Sequence, residues 1–389
     1  MTSQMPRRAV PPDRPTHISP FSRILHFIGR NPVLAVAAVL AAVTSVIVPP
    51  DGEYIGYFDF TTLACLFSTL AVVRALTDIG FFSRLAEGIV RRAASLRSAV
   101  AALVAITYFG SMLIANDMAL LTFLPLGWIV LESTGNRRYM AMTFILQNTA
   151  ANLGGMLTPF GNPQNLYIYS YYSVPNGEFV STMLPPFLMS AAMIAALCFV
   201  FPREPLRIQT SGTPAPDVRR TVIYLLLFAM SVAMVFRLIH YAVGTAVVIA
   251  ALMFLDRRAL KEVDYPLLLT FCCFFVFAGN MARIDAVRNV FSSLMEHSVL
   301  LFSVLSCQLI SNVPSAVLLS HFTGDYSRLL VGVNIGGVGS IISSMASLIT
   351  LREYTKRNPK DGGRYLALFS AVSFGILAVL TLFSYLIMR

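Results

Sequence analysis

Ala115-Asn116-Asp117, then Asn152-Leu153-Gly154-Gly155 and Thr158-Pro159-Phe160-Gly161-Asn162-Pro163, interrupt hydrophobic runs where a spanning helix would carry Leu and Val. Ser311-Asn312-Val313-Pro314, then Asn334-Ile335-Gly336-Gly337 and Gly339-Ser340, repeat that order in the second half of the chain. Hydrocarbon tolerates unpaired backbone only where it lines a protein cavity. Broken helices at matching places in two halves therefore point to the central binding site of a carrier.

The surrounding composition agrees. Hydrophobic residues make up 56% of the chain and charged residues only 12%. With a mean hydropathy of +0.71, this excludes an ordinary soluble domain. The net charge of +10 would suggest nucleic acid in a soluble protein, but the basic residues lie between apolar runs, where they report orientation; no nucleic-acid partner is expected. Cys65, Cys198, Cys272, Cys273 and Cys307 all sit in apolar segments without CxxC spacing, and the five histidines show no HExxH pattern, so neither a metal centre nor a cofactor is expected.

Apolar runs able to cross about 30 Å of hydrocarbon occupy 32–49, 58–77, 138–172, 181–201, 221–239, 241–256, 263–281, 329–351 and 365–388. Two more, 98–132 and 298–322, are interrupted halfway by the Asn motifs and read as re-entrant hairpins or paired full spans. With the N-terminus in the cytoplasm, every Lys and Arg except Arg237, Arg283, Arg288, Arg328 and Arg389 falls on the cytoplasmic side, as the positive-inside rule requires, and the C-terminus lies outside. One hairpin then enters from each face. The expected fold is an all-α polytopic membrane protein with an inverted-topology repeat, two re-entrant hairpins and two discontinuous helices.

The organisation follows: a polar, Arg- and Pro-bearing cytoplasmic tail (1–31), an N-terminal span (32–56), a first inverted repeat (57–201), a cytoplasmic linker (202–220), connecting scaffold spans (221–256) and a second repeat (257–389). The tail's polar region is too long for the start of a cleaved signal peptide. Phe58-Asp59-Phe60 opens one repeat as Val263-Asp264-Tyr265 opens the other. Amphipathic segments at 79–97 and 283–297 are expected to lie in the membrane interface.

The binding residues expected from the pattern are Asn116, Asp117, Asn152, Gly154, Gly155, Thr158, Pro159, Gly161, Asn162, Ser311, Asn312, Val313, Pro314, Asn334, Gly336, Gly337, Gly339 and Ser340. A lone Asn or Gly-Gly in a membrane helix is ordinary packing or an interhelical hydrogen bond; four in matching order imply more. Each hairpin tip with its facing break would form one ion site, unwound carbonyls turning to a cation and helix N-termini to an anion. Asp117 is the one acid in a long apolar stretch. It reads as a cation ligand or proton-exchanging group, or as a cap on the second hairpin helix; Na⁺ at Asn116, Asp117 and Asn312 is the metal expectation. Arg74–Asp78 is expected as an interfacial pair, Arg237 and His240 as snorkelling residues, and Tyr167 to Tyr172 as an aromatic belt.

These motifs, with Gly161-Asn162-Pro163-Gln164-Asn165, resemble the signatures of the ion transporter superfamily, which includes citrate transporters, divalent anion/sodium symporters and arsenite permeases. The resemblance covers roughly residues 57–350. It implies a homodimer in a cell membrane, with a scaffold and an elevator-like transport domain that couples uptake of a small anion, carboxylate or oxyanion, to Na⁺ or H⁺. The dicarboxylate symporters carry Ser-Asn-Thr at both tips; here the tips read Ala-Asn-Asp and Ser-Asn-Val. An ionised Asp117 about 4 Å from an anion would oppose it by about 4 kcal/mol at an effective dielectric of 20, so the Asn-Asp tip looks more like the arsenite-permease and Na⁺/H⁺-antiporter branches. No P-loop is present to use ATP, and no nucleophile–base motif suggests an intramembrane hydrolase.

Overall fold

The computed structural model describes residues 31–206 and 215–389, and among these the regular structure is helical throughout. The tail expected at 1–31 lies outside the described residues except for Asn31, as do residues 207–214 of the linker.

Among the helices that open on aspartate caps are the two that follow Asp59 and Asp264. Asp59 Oδ1 accepts from the Thr62 amide at 2.9 Å to start α2 (Phe60–Asp78), and Asp264 Oδ1 accepts from the Leu267 amide at 3.0 Å to start α12 (Tyr265–Arg283). Such caps satisfy an amide that the helix cannot. The helix α1 (Pro32–Ile47), with Pro at its start, packs along α12, where Asn280 Nδ2 donates to Thr44 Oγ1 and Ser45 Oγ at 3.3 Å. On the other side, α2 packs against α9 (Val218–Val235) and α10 (Tyr241–Leu255). Arg74 joins Asp78 at 2.9 Å, as expected, and also Glu262, just past the short helix α11 (Arg257–Lys261).

After α2 and α12 the same series follows twice. The amphipathic helices α3 (Phe81–Val90) and α13 (Asp285–His297) come first. Helix pairs that turn back at an Asn tip come next: α4 (Leu96–Gly110) with α5 (Asn116–Ser133), and α14 (Val299–Ile310) with α15 (Asn312–Leu319). Then come the broken helices, α6 (Met140–Gly154) with α7 (Pro163–Tyr171) and α16 (Tyr326–Ile335) with α17 (Met345–Arg357), and finally α8 (Asn176–Cys198) and α18 (Gly362–Ile387). The apolar runs 138–172 and 329–351 are thus each two helices, divided at Gly-Gly.

Almost every side chain from Thr143 to Gly154 and from Leu329 to Ile335 is buried, so the broken helices form the centre of the molecule. Large apolar side chains face outward on the surrounding helices, among them Val46 of α1, Leu226 of α9 and Leu386 of α18. Among the described residues five helices, α2, α8, α9, α18 and the stretch Arg257–Arg283, are long and apolar enough to cross a membrane. An oily exterior of this kind matches a lipid solvent.

Candidate functional site

Each Asn tip is built the same way. Asn116 Oδ1 accepts from the Asp117 amide, and Asn312 Oδ1 accepts from the Val313 amide, both at 2.9 Å. Each tip then docks on the break of its own half: Asn116 Nδ2 donates to Asn152 Oδ1 at 3.1 Å, and the Asn312 amide donates to the Ser343 carbonyl at 2.9 Å. Glycines permit this approach. A Cβ on Gly154 would collide with the Tyr108 carbonyl and lie 2.6 Å from Ser111 Oγ; one on Gly337 would lie 2.9 Å from Asn312 Nδ2.

The breaks are held by side-chain amides. Asn165 Nδ2 donates to the carbonyls of Gly155, Met156 and Thr158 at 3.1 to 3.2 Å. Gln308 Nε2 donates to the Gly336 carbonyl and its Oε1 accepts from the Ser340 amide, both at 2.8 Å, while Ser343 Oγ donates to the Gly337 carbonyl at 2.9 Å. The unwound carbonyls, expected to turn to a cation, are thus already engaged with side chains.

The two halves are then tied together. Asn334 Nδ2 donates to Asn165 Oδ1 at 2.6 Å, and Asn334 Oδ1 accepts from Asn162 Nδ2 at 3.2 Å and Gln164 Nε2 at 3.3 Å. Ser344 Oγ donates to Asn152 Oδ1 at 2.7 Å, and Asn148 is bonded to both Ser347 and Thr350.

A cavity of about 20 Å³ lies where these parts meet. It is lined by Asn116 and Asp117 from the first tip, Ser311, Asn312, Val313 and Pro314 from the second, Gln164 and Ser344 beyond the two breaks, and Thr270, Leu267 and Phe274 of α12. That volume holds about one water-sized particle. Asp117 Oδ1 and Gln164 Oε1 are buried without a hydrogen-bond partner among the described residues. Among the described residues the lining contains an acid and no Lys, Arg or His, while the N-termini of α5 and α15, the positive ends of their dipoles, both open onto it.

The profile of the citrate transporter family matches residues 24–324. The chain belongs to the citrate transporter family. It is 32% identical over 303 residues to an uncharacterised transporter of Methanocaldococcus jannaschii, covering 76% of this chain and 81% of the relative. It is 30% identical over 306 residues to the inner membrane protein YbiR of Escherichia coli, covering 76% and 80%. A silicon efflux transporter of Oryza sativa subsp. japonica is 32% identical over 174 residues, 44% of this chain and 35% of the relative. This citrate transporter family member is a multi-pass membrane transporter and not an enzyme.

Of the residues expected from the sequence, Asn116, Asp117, Ser311, Asn312, Val313 and Pro314 line the family member's cavity. Asn152, Asn162, Asn334, Gly154, Gly155, Gly161, Gly336 and Gly337 stand behind it as the packed and hydrogen-bonded frame. Thr158 donates to the Met112 carbonyl at 2.7 Å, Pro159 is buried in the break, Ser340 donates to the Gln308 carbonyl at 3.2 Å, and Gly339, at φ +136°, lies against Gln308. Gln164, Asn165, Gln308, Ser343, Ser344 and Thr270 were not anticipated as site residues. Their signal was available as amides and hydroxyls within apolar runs beside the Asn and Gly motifs.

Two local expectations are corrected. Asp117 does not cap α5, because the residue at the cap position is Ala115, which makes no side-chain cap bond, and Asp117 Oδ1 has no partner among the described residues. Tyr167 and Tyr169 are buried rather than set in an interfacial belt; Tyr167 meets Ser320 Oγ at 2.8 Å and Tyr172 donates to the Ser320 and Thr323 carbonyls. Arg237 donates to the Tyr169 carbonyl at 2.7 Å and stacks on its ring, while His240 caps α10.

Proposed function

We propose that this protein is a secondary active transporter that moves a small anion, a carboxylate or oxyanion, coupled to Na⁺ or H⁺ through Asp117. The observation that carries this reading is the pairing, in one cavity whose described lining has no basic residue, of two helix N-termini with a carboxylate oxygen that has no partner among the described residues. With Asp117 ionised, an anion about 4 Å away meets about 4 kcal/mol of repulsion, roughly a 10³-fold loss of affinity. A proton or Na⁺ on Asp117 removes that term, and the helix ends then favour the anion. Coupling arises because the anion binds well only after the cation.

The transport cycle in this reading is an elevator: the hairpins and broken helices travel as one body against α1, α2, α9, α10 and α12, in a homodimer with the N-terminus cytoplasmic. The dense hydrogen bonding between the two halves supports their moving together. The small cavity and the similarity to a silicon efflux transporter favour a compact solute over a tricarboxylate, which keeps an arsenite-type permease in view. A Na⁺/H⁺ antiporter of the same fold is the second reading, favoured by the acid and by the absence of bases among the described lining residues.

The test uses Asp117→Asn in proteoliposomes with candidate oxyanions and carboxylates. Symport through Asp117 predicts anion binding that no longer depends on Na⁺ or pH. Retained dependence in Asp117→Asn refutes the assignment. Dissipation of a pH gradient by Na⁺ without any added anion, lost in the variant, selects the antiporter.

A further inference from the structure

Beside the central cavity is a second one of about 160 Å³, lined by Asp264, Arg352, Asn31, Pro32, Leu348 and Ile349. Val33, Leu267, Thr270 and Met345 line both cavities, so a wall one side chain thick separates them. The larger cavity has room for several waters. Its charged rim, Arg352, belongs to the face that the positive-inside assignment gives to the cytoplasm.

Asp264 differs from its counterpart Asp59 in one respect. Both are N-caps whose Oδ1 accepts from the amide three residues on. At Asp59 the other oxygen is also engaged, accepting from Thr62 Oγ1 at 2.6 Å. At Asp264 the residue in that place is Leu267, which has no hydroxyl, so Oδ2 accepts no such bond, and Asp264 lines the vestibule. A cap alone needs one oxygen; the second is left to solvent or a cation. Asp117 lines the central cavity and Asp264 the vestibule, on the two sides of this shared wall. Among the described residues the other charged groups around Asp264 are Arg352 across the vestibule and, on and after α11, Arg257, Arg258, Lys261 and Glu262, of which Glu262 is held by Arg258 and Arg74.

We propose that Asp264 is a cytoplasmic relay station for the coupling ion, a hydrated monovalent cation, which passes from vestibule water to Asp264 Oδ2 and then through the Val33–Leu267–Met345 wall to Asp117. For a proton, an O–H bond of hydronium breaks as one forms on the carboxylate, and the reverse exchange passes it to water and on to Asp117. For Na⁺, only coordination changes. This rests on the reading of Asp117 as the coupling group. Asp264 is a positioning and transfer residue, not a ligand of the solute.

Full-length Asp264→Asn, Asp59→Asn and Asp117→Asn are reconstituted, and ion flux is followed with radiosodium and with entrapped pyranine, alongside equilibrium radiosodium binding. Asn keeps the cap and removes the charge. The expected result for Asp264→Asn is flux slowed roughly tenfold or more, with binding within about twofold of wild type, and wild-type flux in Asp59→Asn. The radiosodium and pyranine arms tell which cation is relayed. Wild-type flux in Asp264→Asn, or loss of ion binding there, overturns the relay. Unaltered ion coupling in Asp117→Asn instead overturns the functional reading beneath it.

Discussion

Asn334→Ala tests how the two halves are joined. Among the described residues Asn334 is the sole partner of Gln164 Nε2 and of Asn165 Oδ1, whereas Asn162 Nδ2 keeps the Asn152 carbonyl at 3.2 Å when Asn334 is removed. The substitution therefore orphans two buried polar groups. Each orphan costs about 1–3 kcal/mol in soluble proteins, but hydrogen bonds between membrane helices average only about 0.6 kcal/mol. Weighing the full burial of these residues against that lower figure gives a loss of about 2–4 kcal/mol, or a fall of about 5 °C in melting temperature.

The assay is thermal melting in detergent with a double-mutant cycle on Gln164→Ala. If the loss comes from orphaned groups, deleting Gln164 as well costs less than the sum of the two single changes by about 1 kcal/mol. A melting temperature within about 1 °C of wild type, or additivity within about 0.3 kcal/mol, refutes the account of the knot as the link between halves.

Two further outcomes follow from the geometry. Ser311 sits at φ 75°, ψ 160°, a conformation that favours glycine and costs other residues about 1–3 kcal/mol; Ser311→Gly is expected to be more stable than Ser311→Ala by about 1 kcal/mol, the reverse of the usual order, and a less stable Gly variant in chemical denaturation sinks the strain argument. In the loop after α1, Arg283 holds Asp51 at 2.7 Å and keeps its carboxyl below the usual value of 3.8. That contribution is complete above the ordinary carboxylate range and fades as the pH falls below it, so Arg283→Met should flatten the acid limb of a stability–pH curve; an unchanged limb refutes the linkage.

Much of the frame was legible because its determinants are local. Asp59 and Asp264 announce helix starts three residues before the amides they cap, and Gly154-Gly155 and Gly336-Gly337 mark the breaks because a side chain there would strike a neighbouring segment. The joining of the halves was not legible: Asn334 meets Asn162, Gln164 and Asn165 across some 170 residues of chain, and no spacing rule reaches that far. Composition misled at Tyr167 and Tyr169, where aromatics suggest an interface, because hydroxyl bonds to Ser320 and Asn176 let these two tyrosines be buried. The cap role, one of the two readings the sequence leaves open for Asp117, does not hold because Asp117 lies inside the first turn of α5 while the cap position falls on Ala115.

That last detail separates the two tips chemically. Both asparagines spend their carbonyl on the next residue's amide, so the backbone is equivalent, and the residue carrying that amide decides what each tip offers the cavity. At the second tip it is Val313, and the positive end of α15 stands uncompensated; at the first it is Asp117, whose charge opposes that of α5. Two such half-sites cannot bind an ion equally. A single titratable or cation-binding group serving two helix ends implies that one coupling event changes the field felt by the solute from both directions, and a Val313→Asp variant, by adding the missing acid, would then need two cations rather than one before the anion enters.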